Sequence, residues 1–418
     1  MCGFVGYVGS SNSVSQSLTE LTNWSKSLNY RGPDGYGSLI VNQKNFSTDI
    51  NHVKRIREHS FSNTIPFAFG QRRLAINDLD AGDQPLFSAD YSMVLIHNGE
   101  IYNYNELKAL LTKKGHRFST KSDSEVIIHA YEEWGIEGIS KLDGPYAFAL
   151  ADLKKGHFVL ARDPFGEKPL FIAEDQSGFS FASEAKALFP IIKKAKISSE
   201  AILSYFSFGH VLPPFGWQSN IRKLSPGEVS VYNGQSWSCS YTNYWDKIPL
   251  IPTSISKEDA LLKIDEKLDQ ILNNCSLSDD SIAKALLLSG GIDSSLIAYY
   301  LKENNISFNA YTLVDPNIGA DSEDFKRAQN VADFFGCNHQ ILDFEQKDVN
   351  LLHGERIGHL DEPTSNLKEI HIRYNSYAPI STKAKVAFHG GFADSAFLNG
   401  AIHYGASNND VNFANNNL

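Results

Sequence analysis

The sequence predicts an α/β protein in two halves: a sandwich of sheets and helices, followed by a doubly wound parallel sheet. Three observations carry this. Residues 286–295, LLLSGGIDSS, pass from an apolar strand-like run through Ser289-Gly290-Gly291 into the apolar-rich Leu296-Ile297-Ala298-Tyr299-Tyr300-Leu301, the order strand, loop, helix. Next, Ala310-Tyr311-Thr312-Leu313-Val314 reads as a second buried strand. Ser322-Glu323-Asp324-Phe325 then opens a helix with Ala328, Val331, Ala332 and Phe335 on its core side and Gly336 at its end. Alternating strands and helices of this kind build a parallel sheet whose ligand crevice lies at the C-terminal strand ends. In the first half, strand candidates at 4–9, 146–152, 158–162, 170–173 and 179–182 bracket two helical patterns.

Taken in order, the chain begins Met1-Cys2-Gly3. A small residue at position 2 permits removal of Met1, which leaves Cys2 with a thiol and a free α-amine, a nucleophile with a base on the same residue. The polar stretch 42–62 reads as a solvated insertion without chemistry. Asn103 is placed to cap a helix carrying Leu107, Leu110 and Leu111 on one face. Ser122 with Glu125 makes a capping box before Val126, Ile127, Ala130, Tyr131 and Trp134, and Gly135 stops that helix. Pro213-Pro214, Ser225-Pro226-Gly227 and Tyr244-Trp245 mark a boundary region, so the expected division is 2–200, a connecting segment 201–255, and 256–418. Leu261, Leu262, Ile264, Leu268, Ile271 and Leu272 supply an amphipathic helix with a core-facing stripe just before the glycine loop.

That loop has the chemistry of an anion cradle. Its glycines let backbone approach a phosphate, its hydroxyls and N–H groups can donate to phosphate oxygens, and a helix N-terminus follows. It lacks the lysine of GxxxxGK[ST], so it is not the loop of NTPases that release the terminal phosphate. SGGIDSS instead resembles the pyrophosphatase (PP) loop of enzymes that adenylate a substrate and expel pyrophosphate. The resemblance implies ATP contacts from Ser289, Gly290, Gly291, Asp293, Ser294 and Ser295, and a Mg²⁺ contact from Asp293.

A second resemblance rests on MCGFVGYVG, Tyr30-Arg31-Gly32-Pro33-Asp34-Gly35, Arg72-Arg73-Leu74-Ala75-Ile76, Asn98-Gly99-Glu100-Ile101-Tyr102-Asn103 and Ser122-Asp123-Ser124-Glu125. These resemble the class II glutamine amidotransferase domain, an N-terminal-nucleophile (Ntn) αββα sandwich. The resemblance implies that Cys2 attacks the glutamine amide and that Asn98 and Gly99 form the oxyanion hole. It also implies that Arg73 binds the α-carboxylate while Glu100 and Asp123 hold the α-amine. Together with residues 162–171, 182–188 and 224–228, the two motifs resemble the asparagine synthetase family. In that family the positions matching Leu287 and Leu313 contact adenine, and the one matching Asp324 lies near the acid and phosphate region. Asp361-Glu362-Pro363 matches a further family motif. The resemblance weakens at residues 385–395: His389 replaces a serine, Gly391 and Ser395 stand where two glutamates are usual, and Asp394 remains as a second metal candidate. Members of the family continue further, which leads to the expectation of a homodimer or a partner chain completing the second half.

The expected function is glutamine-dependent amidation, with ATP and Mg²⁺, of a carboxylate acceptor, normally aspartate. Two alternatives stand beside it: another acid, such as a sugar acid or natural-product intermediate, or a nucleotide-binding regulator with only glutaminase activity. Composition fits. With 418 residues, 42% hydrophobic and 21% charged, the chain can bury real cores. A formal net charge of −10 without a long basic run argues against nucleic acid or an anionic membrane as partner. Cys2, Cys239, Cys275 and Cys337 form no CxxC pair, and no apolar run reaches membrane-spanning length, so a cytoplasmic setting is expected. Thirteen histidines show no HExxH or other local metal motif, and no zinc site is expected from them.

Overall fold

The computed structural model describes residues 1–9, 18–42, 45–58, 61, 64–175, 178–192, 196–234, 239–244, 254–279, 281–314, 317–343, 360–365 and 377–391. It divides into two compact units, Met1–Thr253 with Asn350–Asn366, and Ser254–Val349 with Leu367–Leu418. Asp394, Ser395 and Trp245 lie outside the described residues. No helix among the described residues is long and apolar enough to cross a membrane.

The first unit contains strands β1 (Gly3–Gly9), β2 (Gly35–Val41), β3 (Asn45–Ile50), β4 (Val53–Glu58), β5 (Phe67–Arg73), β6 (Leu86–Phe87) and β7 (Met93–Gly99). It continues with β8 (Tyr146–Asp152), β9 (His157–Arg162), β10 (Phe171–Asp175), β11 (Gly178–Ala182), β12 (Arg222–Lys223), β13 (Glu228–Asn233) and β14 (Cys239–Asn243). Its helices are α1 (Leu18–Ser25), α2 (Tyr104–Lys113), α3 (Glu125–Trp134) and α4 (Ser199–Phe208). One antiparallel sheet has the order β12-β10-β11-β1-β5-β2-β3-β4, and the other β14-β13-β9-β8-β7-β6. Alternate residues of both sheets meet in one core: Phe4, Phe69 and Phe181 from the first, Ile96, Ala149 and Leu160 from the second. The opposite face of the second sheet, with Leu95, Phe148 and Leu150, packs under Leu107, Leu111, Val126 and Tyr131 of α2 and α3. The opposite face of the first sheet buries Val5, Phe171 and Ala182 with Leu28 and Leu188. The result is an αββα sandwich.

The second unit contains α5 (Lys257–Cys275), β15 (Lys284–Leu287), α6 (Ile292–Glu303), β16 (Asn309–Val314), α7 (Glu323–Phe335), β17 (Asn338–Asp343) and β18 (Val386–Phe388). Its sheet is parallel throughout, in the order β17-β16-β15-β18. The chain therefore builds outward from β15 to β17 and then places β18 on the other side. That reversal opens a crevice beyond the carboxyl ends of β15 and β18.

Several local expectations are corrected. In α2, Leu107 and Leu111 are buried but Leu110 is 44% exposed, because a residue three positions on lies at the flank of a narrow stripe. Asn103 does not cap that helix; its amide binds the Lys141 carbonyl and the Asp143 N–H, tying two loops together. Glu125 reaches back past Ser122 and accepts from the backbone and hydroxyls of Ser119 and Thr120. The polar stretch 42–62 contains the β3–β4 hairpin, which widens the first sheet and ends it in an exposed, charged edge strand. Within residues 201–255, β12 joins the first sheet while β13 and β14 extend the second. In α5 only Leu272 is buried, and Leu261, Leu262, Ile264 and Ile271 are exposed among the described residues. The contacts of α5 with α6 include polar ones, Tyr300 Oη donating to Asp265 (2.6 Å) and Asn304 Nδ2 to Asp269 (2.7 Å).

The contrast within α2 gives a stability test. Leu111→Ala should cost about 2–5 kcal/mol and Leu110→Ala less than about 0.5 kcal/mol, read as shifts in the urea unfolding midpoint of the first unit.

Candidate active site

The first site forms where β1, β5 and β7 end. Gly3 of β1 pairs with Arg72 of β5, which sets Cys2 beside the chain that continues into Arg73 and Leu74. The Leu74 N–H points at Cys2 Sγ (3.4 Å), and Sγ lies 3.7 Å from the Leu74 carbonyl oxygen. Arg31 holds the backbone here: its Nε donates to the Cys2 carbonyl oxygen (3.0 Å) and its Nη1 to Glu184 (2.6 Å). Gly32 is obligatory beneath it, since a Cβ would come within 2.3 Å of the Arg72 carbonyl carbon. Burial pushes the Cys2 thiol pKa up, while the terminal ammonium and the Leu74 N–H oppose that shift. Burial also lowers the Met1 amine to about 6.

Strand β7 carries the next group. Both polar atoms of the Asn98 side chain are buried and have no hydrogen-bond partner, a costly state for an amide unless a ligand completes it. Gly99 follows at φ +155°, where an added Cβ would sit 2.1 Å from the Pro145 carbonyl oxygen. Only glycine fits, and the main chain turns there from the strand towards Glu100. Behind Asn98, His97 bonds Ser124 Oγ through Nδ1 (2.8 Å), and burial drops its pKa to about 3, so it stays a neutral support.

The charged groups divide by sign. Arg73 is fixed by Asp83 (2.9 Å) and by the carbonyl oxygens of Asn77 (3.0 Å) and Asp78 (2.6 Å). Asp83 is held in turn by Asn51 in the β3–β4 turn, so the hairpin assigned no chemistry braces the arginine. Glu100 accepts from Asn77 Nδ2 (2.6 Å), and Asp123 accepts from the Ile101 N–H (2.8 Å). Burial raises the pKa of both carboxyls, Asp123 to about 6, and the charge of Asp123 raises Glu100 further. Two buried carboxyls that repel one another make a receptor for a cation. Asn77 and Lys168, whose charge acts on Glu100 and on the terminal amine, were missed as site residues from sequence. Lys168 lies within the motif at 162–171, the one signal that could have found it.

In the second unit, the loop 288–291 leaves β15 and enters α6. Gly290 adopts φ +72°, and a Cβ there would meet the Ala328 N at 2.6 Å. Ser294 is buried, with Oγ 3.1 Å from Ser289 Oγ, and Ser295 Oγ donates to the Gly291 carbonyl oxygen (2.7 Å). These bonds shape the loop while Ser289, Gly291 and Asp293 remain exposed. Leu287 and Leu313 are half-buried on the adjacent strands β15 and β16. The turn after β18 comes close to Asp293, since a Cβ on Gly390 would stand 2.7 Å from the Asp293 Cβ. Asp324, at the start of α7, pairs with Arg327. Asp361 and Glu362 fall in the first unit, where Asp361 accepts from the Ala185 N–H (3.0 Å) and Glu362 from the Trp217 N–H (3.2 Å).

A family signature described as a glutamine amidotransferase domain matches residues 49–245, and one described as asparagine synthase matches residues 263–415. The chain belongs to the asparagine synthase family. Asparagine synthetase [glutamine-hydrolyzing] 2 of Bacillus subtilis is 32% identical over 374 residues, covering 86% of this chain and 46% of that protein. Asparagine synthetase [glutamine-hydrolyzing] 1 of the same organism is 33% identical over 318 residues, covering 75% of this chain and 46% of that protein. The chain thus spans about half the length of these asparagine synthetases. Among solved structures, the glutamine phosphoribosylpyrophosphate amidotransferase of B. subtilis superposes with a TM-score of 0.41 and 16% identity, covering 85% of this chain and 89% of that one.

The raised Asp123 pKa sets a pH dependence. The folded state binds its proton more tightly than the unfolded chain, so stability falls as pH rises from 3.8 to about 6. Asp123→Asn should flatten that part of the decline, measured as Tm against pH, and the same slope in wild type and variant would contradict it.

Proposed function

We propose that the protein is a glutamine-dependent amidotransferase that uses ATP to amidate a carboxylate acceptor, with aspartate the first candidate. One observation carries the reading of the first site: a buried pair of carboxyls, Glu100 and Asp123, and a fixed arginine, Arg73, with the charges of Glu100 and Arg73 bearing on the thiol of Cys2. A free amino acid presents an ammonium to Glu100 and Asp123 and a carboxylate to Arg73, which leaves its side-chain amide for the thiol. With Met1 removed, the α-amine of Cys2 takes the thiol proton. The thiolate forms a bond to the amide carbon, Asn98 Nδ2 and the Gly99 N–H stabilise the oxyanion, and the C–N bond breaks as ammonia leaves with that proton. Water then cleaves the thioester to give glutamate and restores the thiol.

In the second unit, the exposed N–H groups and hydroxyls of the SGGIDSS loop and the N-terminus of α6 support binding of the β- and γ-phosphates. Leu287 and Leu313 at neighbouring strands are suited to the adenine ring. Asp293 and Asp394 would hold Mg²⁺, which neutralises phosphate charge when bound. The acceptor carboxylate oxygen attacks the α-phosphorus and pyrophosphate leaves. Ammonia then forms the C–N bond as AMP departs with the former carboxylate oxygen. Gly391, where the resembled family carries a glutamate, favours a second reading in which another acid replaces aspartate.

Glutamate, AMP, pyrophosphate and asparagine are followed together by mass spectrometry from protein given glutamine, aspartate, ATP and Mg²⁺. All four should form. Cys2→Ala should lower glutamate release more than about 10³-fold while sparing amidation from added ammonia. Asp293→Asn should suppress AMP and pyrophosphate while glutamate release persists. Equal loss of both reactions in both folded variants contradicts this division of labour, and AMP formation only with another acid selects the second reading.

A further inference from the structure

The fold brings together three groups that the sequence keeps apart. His116 lies in the turn after α2, His129 on α3, and Glu132 three residues further along that helix. His116 Nδ1 and His129 Nδ1 face each other at 3.1 Å, and Glu132 Oε2 lies 3.4 Å from each of them. A zinc ion bound to nitrogen and oxygen at roughly 2.0–2.1 Å in tetrahedral geometry separates its ligand atoms by roughly 3.3–3.4 Å. The three donor atoms therefore already trace one face of such a tetrahedron.

The groups behind them point the same way. His116 Nε2 faces Glu133 Oε2 at 3.1 Å, and His129 Nε2 faces Glu125 Oε1 at 3.6 Å. A carboxylate at the far nitrogen of each imidazole favours the proton there and leaves the lone pair on Nδ1, the arrangement that orients metal-binding histidines. Both carboxylates are themselves anchored, Glu133 by Lys114 (2.8 Å) and Glu125 by Ser119 and Thr120. In that tautomer, two nitrogen lone pairs and a carboxylate oxygen converge within 3.4 Å, an arrangement that repels itself until a cation enters. His129 is buried, His116 is nearly so, and Glu132 is 42% exposed on its side chain, which leaves an approach from solvent.

We propose that His116, His129 and Glu132 bind a zinc ion that staples the turn after α2 to α3. Two imidazoles and one carboxylate form a borderline donor set suited to zinc rather than to magnesium or calcium. The proposal runs against the expectation of none, which rested on local spacing: the first histidine lies thirteen residues before the second, and no compact motif joins them. The helix so fixed begins two residues after Asp123, so the metal would steady the segment that presents that carboxylate. It is distinct in composition from Cys2 and from the Asp293 loop.

The test uses the full chain, stripped with a chelator, equilibrated with zinc sulfate, desalted and analysed for metal by mass spectrometry, with thermal unfolding alongside. About one zinc per chain should be retained, and zinc should raise the Tm. His116→Asn and Glu132→Gln, each first shown to keep the fold by circular dichroism, should lower zinc affinity at least about tenfold, and Glu133→Gln should lower it about 10–100-fold. Cys2→Ser should leave the stoichiometry unchanged, which separates this site from the N-terminal thiol. Failure to retain zinc, retention undiminished in His116→Asn and Glu132→Gln, or loss of zinc in Cys2→Ser would each overturn the proposal.

Discussion

Strand β1 is paired on both edges, with β11 on one side and β5 on the other, and every residue in it is buried. That double pairing decides where Cys2 can be. A slip of one residue would exchange the two faces of the strand, sending Phe4 and Val8 out of the inter-sheet core. The glycines enforce the register. A Cβ at Gly6 would stand 2.2 Å from the Phe181 ring, so no bulkier residue can occupy the position as the sheet is now packed. Cys2 is thus held by the central strands of a sandwich whose core cannot shift without loss, although it lies next to the first residue, where backbone is ordinarily least ordered.

The electrostatics of the site work against a thiolate in the absence of ligand. Burial and the charge of Glu100 both raise the Cys2 pKa. Under the proposed function, an ammonium seated against Glu100 and Asp123 would cancel part of that charge, and a carboxylate at Arg73 would complete the neutralisation of the pocket. Occupancy by an amino acid would then lower the cost of the thiolate at the moment it is needed. The Asn98 amide, buried and without a partner, would under the proposed function meet a charge that develops only during reaction.

What could be read from sequence was local in origin. The run before SGGIDSS, the Gly336 helix stop at φ +61°, and the strands at 146–152 and 179–182 follow from periodicity and glycine conformation over a few residues. What escaped depended on partners far along the chain. Leu110 and the apolar residues of α5 satisfy a helical pattern, but which part of the pattern is covered depends on the neighbouring element. The role of the β3–β4 hairpin depends on one amide reaching Asp83, thirty-two residues on from Asn51. His116 and His129 meet only because the segment after α2 folds back along α3, a contact no spacing rule encodes.

The two halves differ in how they prepare for charge. The first unit buries the ionisable groups around Cys2 and lets packing set their pKa values. The second keeps Ser289, Gly291 and Asp293 exposed and commits Ser294 and Ser295 to shaping the loop. Polyphosphate brings its own charge and is met best by an open ring of backbone and hydroxyl donors at a helix N-terminus. At the crevice between β15 and β18 the turn after β18 lies against the glycine loop, since Gly390 packs directly on Asp293. Under the proposed function, a turn without a carboxylate at Gly391 would match a less cationic acid better than one carrying an α-ammonium, and so the sequence of this turn would bear on acceptor choice.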